Sequence, residues 1–148
     1  VCYERGIVPE PTLWDGGMLN NAITLIEDGL LRSARYFLIE PNGDWGGGAQ
    51  RLPGSPRDYL RLADQVREHF PDAIWVAHVG GRHTFPLATV AVATDAHVRV
   101  GFEDSPHLPD DAQPDSNARF VEWAVRLARS LGREPLSPAE ARPLLGLQ

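Results

Sequence analysis

Four short apolar runs, each followed by a stretch with helical spacing of apolar residues, constrain the fold of this chain more than any other feature. Runs of strand length that are rich in aromatic and β-branched residues are typical of buried strands. Strands that alternate with helices form a parallel sheet with right-handed crossovers. The sequence therefore predicts four parallel βα units. The predicted strands are a short segment before Asp15 and residues 35–40, 73–78 and 97–102.

The predicted helices have recognisable first turns. Ser55 can cap a helix, Pro56 suits the first helical position, and Asp58 favours the positive end of the helix. Ser137 opens a capping-box pattern, but Pro143 lies inside the segment that follows, so that helix should be short or kinked. The predicted helices span residues 18–28, 56–70, 86–93, 117–131 and 138–145. The helix at 117–131 is expected to bury five apolar side chains: Phe120, Val121, Ala124, Val125 and Ala128.

Two architectures are built from such units, a small doubly wound sheet and half of a (β/α)8 barrel. No Gly-x-Gly-x-x-Gly motif follows the first predicted strand, which removes the main support for a dinucleotide-binding sheet. Half of a TIM barrel is therefore the better prediction, as a single partial domain over residues 1–148. The sequence starts without Met, and residues 1–6 are typical of the last turn of a helix closed by Gly6, so we expect an N-terminal part outside this chain.

Composition argues against several classes of partner. The chain carries a formal net charge of −6, whereas a general nucleic-acid-binding protein needs a basic face. No apolar run is long enough to span a bilayer. The single cysteine, Cys2, cannot form an internal disulfide and fits a reducing cytoplasm. We therefore expect a cytoplasmic protein that binds neither nucleic acid nor membrane.

The last predicted strand carries the strongest candidate site. Its side chains alternate, which places Arg99 opposite the apolar positions, and it ends in two adjacent carboxylates, Glu103 and Asp104. In parallel βα proteins, ligands and catalytic groups lie at the carboxyl ends of the strands. Two acids and an arginine at such an end can bind a metal and accept a proton. On pattern alone, a structural ion pair between Arg99 and Asp104 fits equally well.

Three histidines lie near the predicted strand ends. His78 and His83 follow the third strand and are candidates for substrate contact, although packed histidines are the commoner case. His97 lies on the same side as Arg99 by strand parity and is more typical of a packed histidine than of a ligand. The glycine-rich loop around Trp45 is either a lid over the site or a flexible connection.

A series of motifs occurs in an order and spacing that extend over most of the chain: residues 15–19, 81–82, 97–104, 116–118, 121, 124–126, 131–133, 138–142 and 144–147. From about Gly6 onward, they resemble the C-terminal half of the β-keto acid cleavage enzymes, a family of zinc-dependent (β/α)8 barrels that includes the 3-keto-5-aminohexanoate cleavage enzyme. The motif at 97–104 is the most specific. The resemblance implies four parallel βα units from the C-terminal half of a TIM barrel, plus a C-terminal helical extension.

The resemblance also implies an acyltransferase that converts a β-keto acid and acetyl-CoA into acetoacetate and a new CoA ester. It implies zinc as cofactor, with Glu103 as one ligand beside a His-x-His pair. Asp104 resembles the base that takes the α-proton, steadied by Arg99. Gly81 and Arg82 are candidates for holding a CoA phosphate, because barrel phosphate sites favour the last two loops. The implied macromolecular partner is an N-terminal half-barrel or a second copy of the chain, in a homo-oligomer.

Two departures from the family pattern affect these expectations. The chain contains no His-x-His pair, which leaves the implied zinc site incomplete in this chain. Ser105 and Pro106 replace the Asn that usually follows the two acids, which can change the loop over the substrate. Two other functions therefore stay open: a non-catalytic half-barrel interaction module that keeps the acids, and a metal-dependent, aldolase-like barrel enzyme.

Overall fold

The computed structural model describes residues 1–32, 36–41 and 54–147. Within these residues it contains a four-stranded parallel sheet in the order β1-β2-β3-β4. The carboxyl ends of the strands therefore share one edge of the sheet. This confirms the prediction of four parallel βα units. The strands are β1 (Thr12–Leu13), β2 (Tyr36–Ile39), β3 (Ile74–Ala77) and β4 (His97–Val98).

Five α-helices occur in the described residues: α1 (Gly16–Glu27), α2 (Pro56–His69), α3 (Thr84–Ala93), α4 (Asn117–Ser130) and α5 (Pro138–Leu144). Two short 3₁₀ turns, Tyr3–Arg5 and Gly81–His83, complete the regular structure there. The predicted Ser55 cap of α2 and the predicted capping box of α5 are confirmed, because Ser55 and Ser137 each accept the amide of the residue three positions later. Helix α5 is short, as its internal proline predicts. Helix α1 begins earlier than predicted, because Asp15 caps it by accepting the Met18 amide at 2.9 Å.

The core lies between the sheet and helices α1 to α3. Phe37 and Ile39 of β2 are fully buried, and Trp75 of β3 donates its indole N–H to the buried Tyr59 hydroxyl of α2 at 3.1 Å. Side chains of this size stabilise the fold by roughly 1.5–3 kcal/mol each when they are buried. The other buried members of this cluster are Leu13, Leu19, Ala22, Leu62, Ala63, Val66, Ala77, Val79, Leu87, Ala91 and Ala96.

Helix α4 packs less deeply than the sequence predicts. Of its five expected core residues only Phe120 is buried, and 53% of Val121 is exposed. The Phe120 ring lies 5.3 Å from the Phe102 ring and 6.4 Å from the Phe85 ring of α3. The remaining apolar positions, Val121, Ala124, Val125 and Ala128, line an open groove of about 680 Å³. The prediction that they are buried is therefore wrong for this chain.

Strand β4 is also shorter than predicted. It pairs with β3 at His97 and Val98, and one further bond joins the Arg99 amide to the Ala77 carbonyl at 3.2 Å. Beyond this point β3 has ended, so a longer β4 would have no partner for its amides. The chain turns instead, and the Asp104 amide donates to the Gly101 carbonyl at 3.0 Å.

Glycine is favoured at the start of this turn by a close approach from α4. The Phe102 amide donates to Asn117 Oδ1 at 3.0 Å, and a Cβ on Gly101 would lie 3.0 Å from the same oxygen. The turn is therefore tied to the first residue of α4. No helix within the described ranges is long and apolar enough to cross a membrane. The predicted loop around Trp45 lies outside the described residues.

Candidate active site at the carboxyl ends of the strands

Five side chains at the carboxyl ends of the four strands contact one another in succession. We call this set the strand-end network; it consists of Trp14, Glu40, His78, Asp104 and Arg99. The Trp14 indole N–H, after β1, donates to Glu40 Oε2, after β2, at 3.3 Å. Glu40 Oε1 lies 3.5 Å from Nε2 of His78, after β3. His78 Nδ1 lies 3.2 Å from Asp104 Oδ1, which also accepts from Arg99 at 3.0 Å. The parallel sheet brings these residues together because all its strands end at this edge.

Asp104 is held on both its backbone and its side chain. Only 1% of its side chain is exposed, and its Oδ1 accepts from the Arg99 guanidinium. Its carbonyl accepts the Gly81 amide at 2.8 Å and lies 3.1 Å from Thr84 Oγ1. The same buried hydroxyl lies 2.8 Å from the Val79 carbonyl, so Thr84 joins the end of β3 to the loop after β4. A carboxylate fixed in this way can serve as a positioned base.

Glu103 lies beside this base in a different environment. Its Oε2 accepts from Arg99 at 2.7 Å, so one guanidinium nitrogen contacts both acids. Its side chain is 71% exposed and can offer a carboxylate to a metal. Within the parts of the chain that the structure describes, no group of three or more His, Cys, Asp or Glu side chains could hold a metal ion. Those residues alone therefore do not compose a zinc site.

The two predicted phosphate-binding residues lie at the same edge of the sheet. Gly81 has a positive φ of 81°, and its amide donates to the Asp104 carbonyl. Arg82 is exposed, and its Nε donates to His83 Nε2 at 3.2 Å. The structure thus gives Gly81 a direct part in holding the Asp104 loop, and the phosphate role of both residues stays a prediction.

His97 and Arg99 both line the open groove, but Val98 and Val100 line it too, so the predicted strand parity stays untested. Burial lowers the pKa of His97, and the positive charge of Arg133 lowers it further. A neutral imidazole is therefore favoured at this position. No contact joins His97 to Asp104 among the interactions of the described residues, so it lies apart from the strand-end network.

Sequence reasoning missed Glu40 and did not place His78 beside Asp104. The hydrogen bond from His78 holds the pKa of Glu40 below its usual range, against the opposing effect of burial. Glu40 is therefore an ionised acceptor at neutral pH. One signal could have found the pair: each is the first polar residue after an apolar run that forms a neighbouring parallel strand.

Sequence comparisons with known proteins identify a family. A sequence model of the beta-keto acid cleavage enzymes matches residues 1–147. The 3-keto-5-aminohexanoate cleavage enzyme of Fusobacterium nucleatum is 35% identical over 148 residues, which are 100% of this chain and 51% of the relative. Its counterpart in Acetoanaerobium sticklandii is 32% identical over 144 residues, 97% of this chain and 50% of the relative.

A third relative differs in its named reaction. The 3-oxoadipate:acetyl-CoA acetyltransferase of Cupriavidus necator is 28% identical over 141 residues, 95% of this chain and 48% of the relative. The chain thus spans about half the length of the curated relatives that it matches. The match over residues 1–147, together with the parallel βα units and the strand-end acids, places the chain in the beta-keto acid cleavage enzyme family.

Proposed function

We propose that the protein containing this chain converts a β-keto acid and acetyl-CoA into acetoacetate and a new acyl-CoA. The family match and a relative named as an acetyl-CoA acetyltransferase support this reaction. The observation that carries the proposal is the buried Asp104 carboxylate, which Arg99 and the backbone of the β3 loop hold in place. A base with fixed geometry suits the removal of a proton α to a ketone.

In this reaction Asp104 takes the α-proton that lies between the ketone and the carboxylate of the substrate. The resulting enolate carbon attacks the acetyl carbonyl of acetyl-CoA, and the CoA thiolate leaves. The thiolate then adds to the original ketone carbon, and the bond between that carbon and the α-carbon breaks. Acyl-CoA and the acetoacetate enolate result, and the enolate recovers the proton from Asp104. Arg99 stays protonated throughout and orients the carboxylate without competing for the proton.

The substrates and partners follow from the same proposal. Arg82, exposed at the strand-end edge, is proposed to contact a phosphate of CoA. The β-keto acid would lie against Asp104. An N-terminal half-barrel or a second copy of the chain is proposed to complete the fold around the site, within a homo-oligomer.

Replacing Asp104 tests the proposed reaction. In the whole product of the gene, acetoacetate formation from acetyl-CoA is measured with a panel of β-keto acids. Asp104→Asn should lower turnover by roughly a hundredfold or more, the range for loss of a general base, with an unchanged circular dichroism spectrum. Asp28→Asn, at the exposed C-terminal end of α1, is the matched control. If no β-keto acid yields acetoacetate, the proposed function is wrong. If Asp104→Asn keeps normal turnover, Asp104 is only a structural partner of Arg99.

Glu103 is proposed to supply one ligand to a zinc ion. A catalytic zinc site usually has three protein ligands, and the described residues contain no such group, so the others would come from outside them. No step above depends on the metal. We expect Glu103→Gln to lower the zinc content of the dialysed whole protein, whereas Glu68→Gln on the exposed face of α2 should not. Equal zinc content in wild type and Glu103→Gln would remove Glu103 from the ligand set.

A further inference from the structure

His78 is enclosed between two carboxylates. Only 2% of its side chain is exposed, with Nε2 3.5 Å from Glu40 Oε1 and Nδ1 3.2 Å from Asp104 Oδ1. Despite that short distance, Nδ1 makes no well-aligned hydrogen bond to any described residue. A buried polar atom without a hydrogen bond lowers stability, so its presence needs an explanation.

The Glu40 side of this ring is anchored. The Glu40 carboxylate accepts from the Trp14 indole through its other oxygen, at 3.3 Å, so its orientation is set from β1. An ionised carboxylate accepts hydrogen bonds and cannot donate them, and each ring nitrogen donates only when it carries a proton. The contact at Nε2 therefore restricts the rotation of the ring, and it leaves Nδ1 on the side of Asp104.

We propose that His78 is the positioning residue of the base: with Nε2–H directed at Glu40, a small rotation of the ring lets Nδ1–H donate to Asp104 Oδ1, so that the ring carries a proton on both nitrogens. This role rests on the proposed function of the site. The Arg99 donor and the nearest nitrogen of His78 both reach Oδ1, so together they fix the rotation of the carboxylate about its side-chain bond. Oδ2 is then the oxygen presented to the α-proton.

A purely structural role explains this arrangement less well. Buried ionic groups stabilise folds weakly, and replacing them with well-packed apolar residues is often neutral or stabilising. An apolar residue could supply neither the Nδ1 donor that faces the Asp104 carboxylate nor the Nε2 contact with Glu40.

Two substitutions by amide residues test the roles of the two ring nitrogens separately. The amide nitrogen of Asn lies near the position of Nδ1 of histidine, and that of Gln lies near the position of Nε2. In the whole gene product, His78→Gln should lower kcat between about 10- and 100-fold with little change in KM, the cost of a misplaced reacting group. His78→Asn should keep more of the activity, because its amide can still donate to Asp104. His69→Gln, on the exposed face of α2, is the control.

Ring nitrogen NMR tests the contact without any turnover. In protein labelled with ¹⁵N-histidine, the His78 resonances are assigned by their loss in His78→Gln. We expect a proton on Nδ1 and a change of the Nδ1 shift in Asp104→Asn. An unprotonated Nδ1, or an Nδ1 shift that Asp104→Asn leaves unchanged, would overturn the proposal, as would equal kcat in wild type and both His78 variants. If no β-keto acid is turned over, the reaction is wrong, but the ring measurement still decides the contact with Asp104.

Discussion

Glu40 is a carboxyl group whose ionisation the fold favours, and this makes the stability of the protein depend on pH. The hydrogen bond from His78 holds the pKa of Glu40 below its unfolded value of about 4.3. Between these two pKa values the unfolded chain binds more protons than the folded one. The resulting contribution to the free energy of unfolding is present above about pH 4.3 and is lost as the pH falls through the lowered pKa.

Glu40→Gln isolates this contribution. A protonated Glu resembles Gln in shape and charge, so the variant should be less stable than wild type at pH 7 and close to it at the acid end. Urea unfolding at pH 7, 5 and 3.5 measures the difference in free energy of unfolding. Glu27→Gln, exposed at the end of α1, is the matched control. A Glu40→Gln difference that is constant over this range would contradict the prediction.

At the residue scale, the sequence could predict the part of the site that is local. The contacts of Arg99 with Glu103 and Asp104 join residues that are close in the chain. The sequence alone therefore predicts that these side chains lie together. Glu40 and His78 come from different strands. Their contact depends on the register of β2 against β3, in which Ile39 lies opposite Ala77, and no local pattern encodes that register.

At the element scale, the alternation of side chains shows which face of a strand is buried but not where its ladder ends. Residues 97–102 alternate as a strand would, yet β4 ends at Val98 because its partner β3 ends at Ala77. Helix caps are easier to predict, because the cap and the amide that it accepts lie three residues apart. Ser55 therefore marks the start of α2 correctly.

The two serines that precede α2 and α4 offer a matched test of capping. Ser55 accepts the Asp58 amide and forms a capping box, whereas Ser116 makes no side-chain cap at α4. We expect Ser55→Ala to lower the free energy of unfolding by about 1 kcal/mol, because it leaves amides of the first turn without an acceptor. Ser116→Ala should lower the free energy of unfolding clearly less, because its hydroxyl donates to the exposed Asp115 and caps no amide of α4. Urea unfolding of the two variants measures this, and equal losses would contradict it.

At the scale of the whole molecule, the sheet is open on both sides. Among the described residues β1 pairs with β2 alone and β4 pairs with β3 alone, so each edge presents unpaired backbone groups. Parallel sheets are normally covered on both faces, and exposed edges favour association with other chains. The open groove beside α4 adds apolar surface, because Val76 and Val98 of the sheet and Val121 of α4 line it.

These features predict how the segment of residues 1–148 behaves when it is produced alone. Its open edges and apolar groove need a cover, which the rest of a barrel or a second copy of the chain would supply. We expect the segment to associate in a concentration-dependent way in light scattering and to bind a dye for apolar surfaces. Val121→Lys should weaken both effects, because Val121 lines the groove and is 53% exposed. Leu30→Lys should not, because the more exposed Leu30 lies outside the groove lining. A monodisperse monomer with a cooperative melt and no dye binding would show that this half of the barrel covers its own surface.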